Sequence, residues 1–116
     1  MKIAFTSSGT TWDSIIDPRF GRTAFILVFD EEKQELRAIG NDSVKETAHG
    51  AGTATAQRLY ELMPDVLITG NGPGETASKA LGHMSMKIYI NASELTIRQA
   101  YENYLSGSLP EMKLNP

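Results

Sequence analysis

Apolar residues come in short runs at the start of the chain and at helical spacing in its second half. Lys2 to Thr6 (KIAFT), Thr23 to Phe29 (TAFILVF) and Gln34 to Ile39 (QELRAI) read as strands. The charged turn Asp30-Glu31-Glu32-Lys33 joins the last two into a hairpin. From Ala51 the period lengthens: Ala51, Thr55, Leu59, Leu62 and Met63 share one face of a helix that Pro64 and Asp65 stop. A short strand buried on both faces, Val66 to Thr69, follows, and then a helix from about Pro73 to Leu81 and a strand from Met86 to Ile90. The final helix carries Ile97, Ala100, Tyr101, Tyr104 and Leu105 on one face. Asn91 with Glu94 three residues on has the form of a capping box at its start. From Ser106 onward Gly, Ser and Pro break any period, so the pattern predicts one domain over residues 1–105 and a loose tail over 106–116.

The order βββαβαβα predicts an α/β fold with a five-stranded mixed sheet. An opening meander and right-handed crossovers arrange the strands most simply as 3-2-1-4-5, with only strand 2 antiparallel. The connections leave strands 1 and 4 toward opposite sides of the sheet. In open α/β sheets such a switch point is the usual ligand crevice. Three loops then share one edge: Ser7 to Arg22 after strand 1, Asn41 to Gly50 after strand 3, and Gly70 to Gly74 after strand 4.

Composition narrows the chemistry. The chain has 116 residues, enough for one core, and a net charge of -3 with mixed signs, which argues against general nucleic-acid or membrane-surface binding. It contains no cysteine, so neither a disulfide framework nor a thiolate cluster site can come from this chain. The N-terminus lacks a signal-peptide pattern and no apolar run is long enough to span a bilayer, so the expected address is the cytoplasm.

Each loop of the shared edge has candidate chemistry beside a plainer reading. In Asp17-Pro18-Arg19-Phe20-Gly21-Arg22, two guanidiniums flank an aromatic and a glycine and could hold an oxyanion, with Asp17 orienting one of them. Equally, this is an ordinary turn with Phe20 plugging the core and both arginines solvated. His49 and Gly50 open the first helix, where a histidine could ligate a metal, cap the helix or simply be exposed. His83 belongs at the opposite end of the sheet. The turn Gly70-Asn71-Gly72-Pro73-Gly74 offers close backbone approach and helix-terminus donors. It matches neither the P-loop, which needs Lys and Ser/Thr where Thr76 and Ala77 stand, nor the G-x-G-x-x-G fingerprint. No carboxylate lies on strand 1, and Ser7 and Ser8 have no nucleophile-elbow context, so catalysis has no support.

Taken together, KIAFTSSG, DPRFGRTAFILVFD, the HGAG helix entry, PDVLITGNGPGETASKAL and MKIYI resemble the dinitrogenase iron-molybdenum cofactor biosynthesis family. That family includes carrier proteins of nitrogenase cofactor assembly and a domain of the radical enzyme that builds the precursor. The resemblance covers about residues 1–105. It implies a single-domain, three-layer ribonuclease H-like fold and a non-catalytic role in binding or carrying an iron-sulfur or iron-molybdenum type metallocluster, with a cluster donor or acceptor protein as partner. The family's Asp-x-His-Phe-Gly segment corresponds to Asp17 through Gly21, so Arg19 stands where a histidine ligand would be. A guanidinium is not a metal ligand, which turns the expectation toward electrostatic capture of an anion, with His49 the nearby substitute ligand. The competing expectations are a phosphate-ligand binder or small enzyme using the same mouth, and a pure interaction module.

Overall fold

The computed structural model describes residues 1–41, 51–82 and 84–113. Strands β1 (Lys2–Ser7), β2 (Phe25–Asp30) and β3 (Glu35–Gly40) open the chain. They form the expected antiparallel meander, with Ser7 opposite Phe25 and Phe25 opposite Gly40. Helix α1 (Ala51–Leu62), strand β4 (Val66–Ile68), helix α2 (Glu75–Leu81), strand β5 (Lys87–Tyr89), helix α3 (Ile97–Leu105) and strand β6 (Glu111–Met112) follow. β4 joins β1 in parallel and β5 joins β4 in parallel, so Phe5, Ile68 and Tyr89 lie abreast. The sheet order is β3-β2-β1-β4-β5-β6. Its first five places are those that right-handed crossovers require.

The sixth strand falls in the segment expected to be a loose tail, and it makes β2 no longer the sole antiparallel strand. Met112 pairs with Ile88 and Glu111 with Tyr89, covering what would otherwise be the open edge of β5. Leu109 is buried in the core just before it. Two residues carry no periodicity, so such a strand leaves no pattern to read.

Alternation along β1 divides the core. Ile3 and Phe5 enter one cluster with Ile16, Leu27, Phe29, Val66, Ile68, Ile97 and Ala100, which is the face covered by α3. Ala4 enters the other, with Phe20, Ile26, Val28, Leu59, Leu67 and Leu81, the face covered by α1 and α2. The molecule therefore has three layers. β1 and β4 are buried on both sides, as central parallel strands are.

Two helix boundaries differ from expectation. α2 begins at Glu75, with Gly74 as its N-cap, rather than at Pro73. α3 is capped by Thr96, whose hydroxyl accepts from the Gln99 N–H while the Gln99 side chain accepts from the Thr96 N–H. Asn91 and Glu94 instead take left-handed backbone, with φ of 67° and 73°, because the chain is still turning over the sheet edge there. α1 does end where Pro64 requires: Met63 leaves the helix with φ of 51°. Among the described residues no helix is long and apolar enough to cross a membrane.

Candidate functional site

Ile16 is buried on the α3 face and Phe20 on the α1/α2 face, so Asp17, Pro18 and Arg19 must cross the sheet edge between them. They cross at the ends of β1 and β4, the switch point. The Asp17 N–H donates to the Thr6 carbonyl at 2.9 Å, and the Thr6 hydroxyl donates to the Asp17 carbonyl at 2.8 Å. The Thr6 and Thr69 hydroxyls bond each other at 2.7 Å, and the Asn71 N–H donates to the Pro18 carbonyl at 2.9 Å. The chain's own loop thus bridges the crevice, and the ligand-accessible surface is the outer side of that loop. Gly70 is needed because Pro18 packs on it: a β-carbon there would stand 2.6 Å from the Pro18 Cα.

Arg19 is held by a buried carboxylate. Asp17 Oδ1 accepts from the Arg19 N–H at 3.0 Å and from Arg19 Nε at 3.1 Å. Its Oδ2 accepts from Arg19 Nη2 and from the Ala24 N–H, each at 3.1 Å. Burial pushes the Asp17 carboxyl up, but the Arg19 side-chain bond, the backbone bonds from Arg19 and Ala24 and the guanidinium charge together hold it below the usual carboxylate range. The hydrogen bond to Asp17, and then its charge, raise Arg19 in turn. The carboxylate side chain is 4% exposed and the guanidinium side chain 54%. The pair is therefore a fixed dipole with its positive end outward, since Asp17 engages only part of a group with five N–H donors.

The other expected segments converge on the same loop. Asn41, at the end of β3, donates from Nδ2 to the Thr23 carbonyl at 3.1 Å and to the Thr55 hydroxyl at 3.2 Å. Thr55, in α1, donates to the Gly21 carbonyl at 2.9 Å. Arg22 is half-buried on this loop and is itself engaged in an interaction. His49, Gly50 and His83 lie outside the described residues. Phe20 is a core side chain, and its part in the site is to anchor the loop. In the glycine turn, Gly72 needs its positive φ of 86°, while Gly74 is exposed and caps α2 without a side-chain bond. The Asn71 N–H is already spent on Pro18.

A fourth segment, unforeseen in the sequence, completes the edge. The Asn91 N–H donates to the Gly70 carbonyl at 2.8 Å, and the Ile16 N–H donates to the Leu95 carbonyl at 2.8 Å. Ser93 also packs beside Gly70. The available signal was topological: β5 runs parallel to β4, so the loop after it must share the edge.

Chemically, the described residues of this edge present a positive group held by a buried carboxylate and no ready nucleophile. The Ser7 hydroxyl donates to the Gly9 carbonyl and that of Thr6 to the Asp17 carbonyl, so neither faces a general base. Among the described residues no group of three or more His, Cys, Asp and Glu side chains could hold a metal ion.

A family model for the dinitrogenase iron-molybdenum cofactor matches residues 1–107. The apo form of the orange protein from Desulfovibrio gigas is 34% identical, with a TM-score of 0.90 over 99% of this chain and 96% of that one. A NifB-like protein from Thermotoga, of the DUF35 family, is 26% identical, with a TM-score of 0.79 over 95% of this chain and 91% of its own. A comparison with curated proteins finds no match.

Proposed function

The chain belongs to the dinitrogenase iron-molybdenum cofactor family, and from that premise we propose that it binds and carries an anionic iron-sulfur type metallocluster without transforming it. The observation that carries the reading is the Asp17–Arg19 pair, which turns a half-exposed guanidinium outward at the sheet edge where the loops converge. With no cysteine in the chain, cargo cannot be tied by thiolates of this protein. Capture then rests on charge and donors: Arg19 and Arg22 toward the cluster's negative charge, backbone groups around Gly72 and Gly74 beside it, and His49 as the one protein ligand. Such a hold is reversible, which suits delivery from a donor protein to an acceptor in the cytoplasm.

Anaerobic reconstitution with ferrous iron and sulfide, followed by desalting and visible absorption, tests this reading. The parent protein retains the chromophore, less of it as ionic strength rises, because the attraction is screened. The Arg19→Gln/His49→Ala variant loses most of it. A parent that retains no chromophore, or a variant that retains as much as the parent, would overturn the proposal.

A further inference from the structure

On the α3 face, away from the sheet edge, three rings make an open bowl. Trp12 meets Phe29 edge to face, with centroids 4.9 Å apart and planes at 73°. Tyr101 closes the third side, 5.8 Å from Trp12 and 5.4 Å from Phe29. These rings, with Gln34 and Arg98, line a cavity of about 300 Å³. That is at the lower end of the size of small-molecule pockets, room for one or two rings. Phe29 is buried and forms the floor, whereas Trp12 and Tyr101 are only partly buried walls.

Hydrogen bonds tie several of the lining residues to the backbone and side chains around them. The Arg98 N–H donates to the Trp12 carbonyl at 3.0 Å, which ties the loop to the first turn of α3. Gln34 donates from Nε2 to the Glu31 carbonyl at 2.7 Å, and Tyr101 donates its hydroxyl to the Glu31 carboxylate. Glu31 is bonded to two lining residues but does not itself line the cavity, and its carboxylate is engaged by the Tyr101 hydroxyl. The charged residue of the lining is Arg98, whose guanidinium lies 5.8 Å from the Trp12 ring centroid. Its partner Asp13 is 3.5 Å away with an 85% exposed side chain, a surface pair that a better-placed anion can replace.

Aromatic walls with a single cationic rim residue select a flat ring that carries negative charge. Edge-to-face contacts suit the ring, and the planar guanidinium suits a carboxylate at its border. We propose that this bowl is a second binding site, independent of the sheet edge, for a small aromatic carboxylate.

Trp12 is the only tryptophan of the chain, so its fluorescence reports on the bowl directly. The probes are benzoate, benzyl alcohol and benzylammonium, titrated into the full chain and checked by calorimetry. Benzoate is expected to bind with a submillimolar Kd, at least tenfold tighter than the neutral and cationic rings. Arg98→Gln should abolish that preference, and Asp13→Asn should tighten benzoate binding by removing the competing carboxylate. Far-ultraviolet circular dichroism shows whether the variants are folded, and Arg98→Lys should restore part of the preference. Absence of benzoate binding, equal binding of the three probes, or an Arg98→Gln variant with unchanged preference would each overturn the assignment.

Discussion

Gly70 and Pro18 approach so closely that a β-carbon on residue 70 would stand 2.6 Å from the Pro18 Cα. Both partners are fixed, Pro18 by the Asn71 N–H on its carbonyl and Gly70 by the Asn91 N–H on its own. Neither can yield as a flexible side chain would. Gly70→Ala should therefore cost about 1–3 kcal/mol through overpacking, read as a lower urea midpoint. It should also displace the Asp17 to Arg22 loop, visible as amide chemical-shift changes at Arg19. Gly40→Ala is the control: nothing lies within 4 Å of a β-carbon there, so its midpoint should barely move.

Asp17 places the same loop under acid control. Burial works against its carboxylate, but the Arg19 and Ala24 bonds outweigh it and leave the folded-state pKa below the ordinary value. Its contribution to stability is thus complete above the unfolded-state pKa of about 3.9 and is lost as pH falls through the lower folded value. Asp17→Asn should cost about 1–3 kcal/mol near neutrality, because an amide cannot accept at both positions that now receive N–H groups. The variant should also lose less stability than the parent between pH 6 and acid, a difference that urea titrations across that range would measure.

Most of the fold was legible in the sequence because it rests on alternation and on connection rules. Strands 1 to 5 and their order follow from apolar runs and crossover handedness, and the sheet bears them out. The candidate site was legible only as a set of loops. The sequence offers Phe20 as a core plug in one reading of the loop but does not show that Ile16 and Phe20 are buried on opposite faces, and that difference carries Pro18 across the crevice. The capping-box form at Asn91 and Glu94 was overruled by tertiary contact: the Asn91 N–H is drawn to Gly70, and Thr96 with Gln99 starts the helix instead.

Tyr101 should ionise unusually late. Burial, and then the hydrogen bond and charge of Glu31, push its phenol from 10.0 up to about 12. The folded state favours the neutral phenol, so this stabilisation is full below pH 10 and drains away as pH rises toward the folded value. Ultraviolet phenolate titration should show two of the four tyrosines, Tyr101 and Tyr104, displaced to the alkaline side, and Tyr101→Phe should remove the one at about 12. Glu31→Gln should lower the shifted pKa without restoring the ordinary value, because burial is the larger cause. An unchanged titration in Glu31→Gln would refute the pairing.

Leu109 tests whether the last residues belong to the fold. It is 8% exposed and sits in the α3-side core, directly before the Pro110 carbonyl that accepts from the Ile90 N–H at 3.0 Å. Truncating a buried leucine leaves a cavity as well as losing transfer free energy, so Leu109→Ala should cost about 2–3 kcal/mol. Ending the chain after Gly107 should cost at least as much, since it also exposes the edge of β5 that Glu111 and Met112 now pair. The same truncation removes Met112, whose sulfur would lie 3.2 Å from a β-carbon at residue 72, and so loosens the glycine turn at the sheet edge. Urea denaturation of both variants decides the matter. If residues 106–116 were a loose tail, each midpoint would stay at the parent value; if they are the sixth strand, both fall, and truncation falls further.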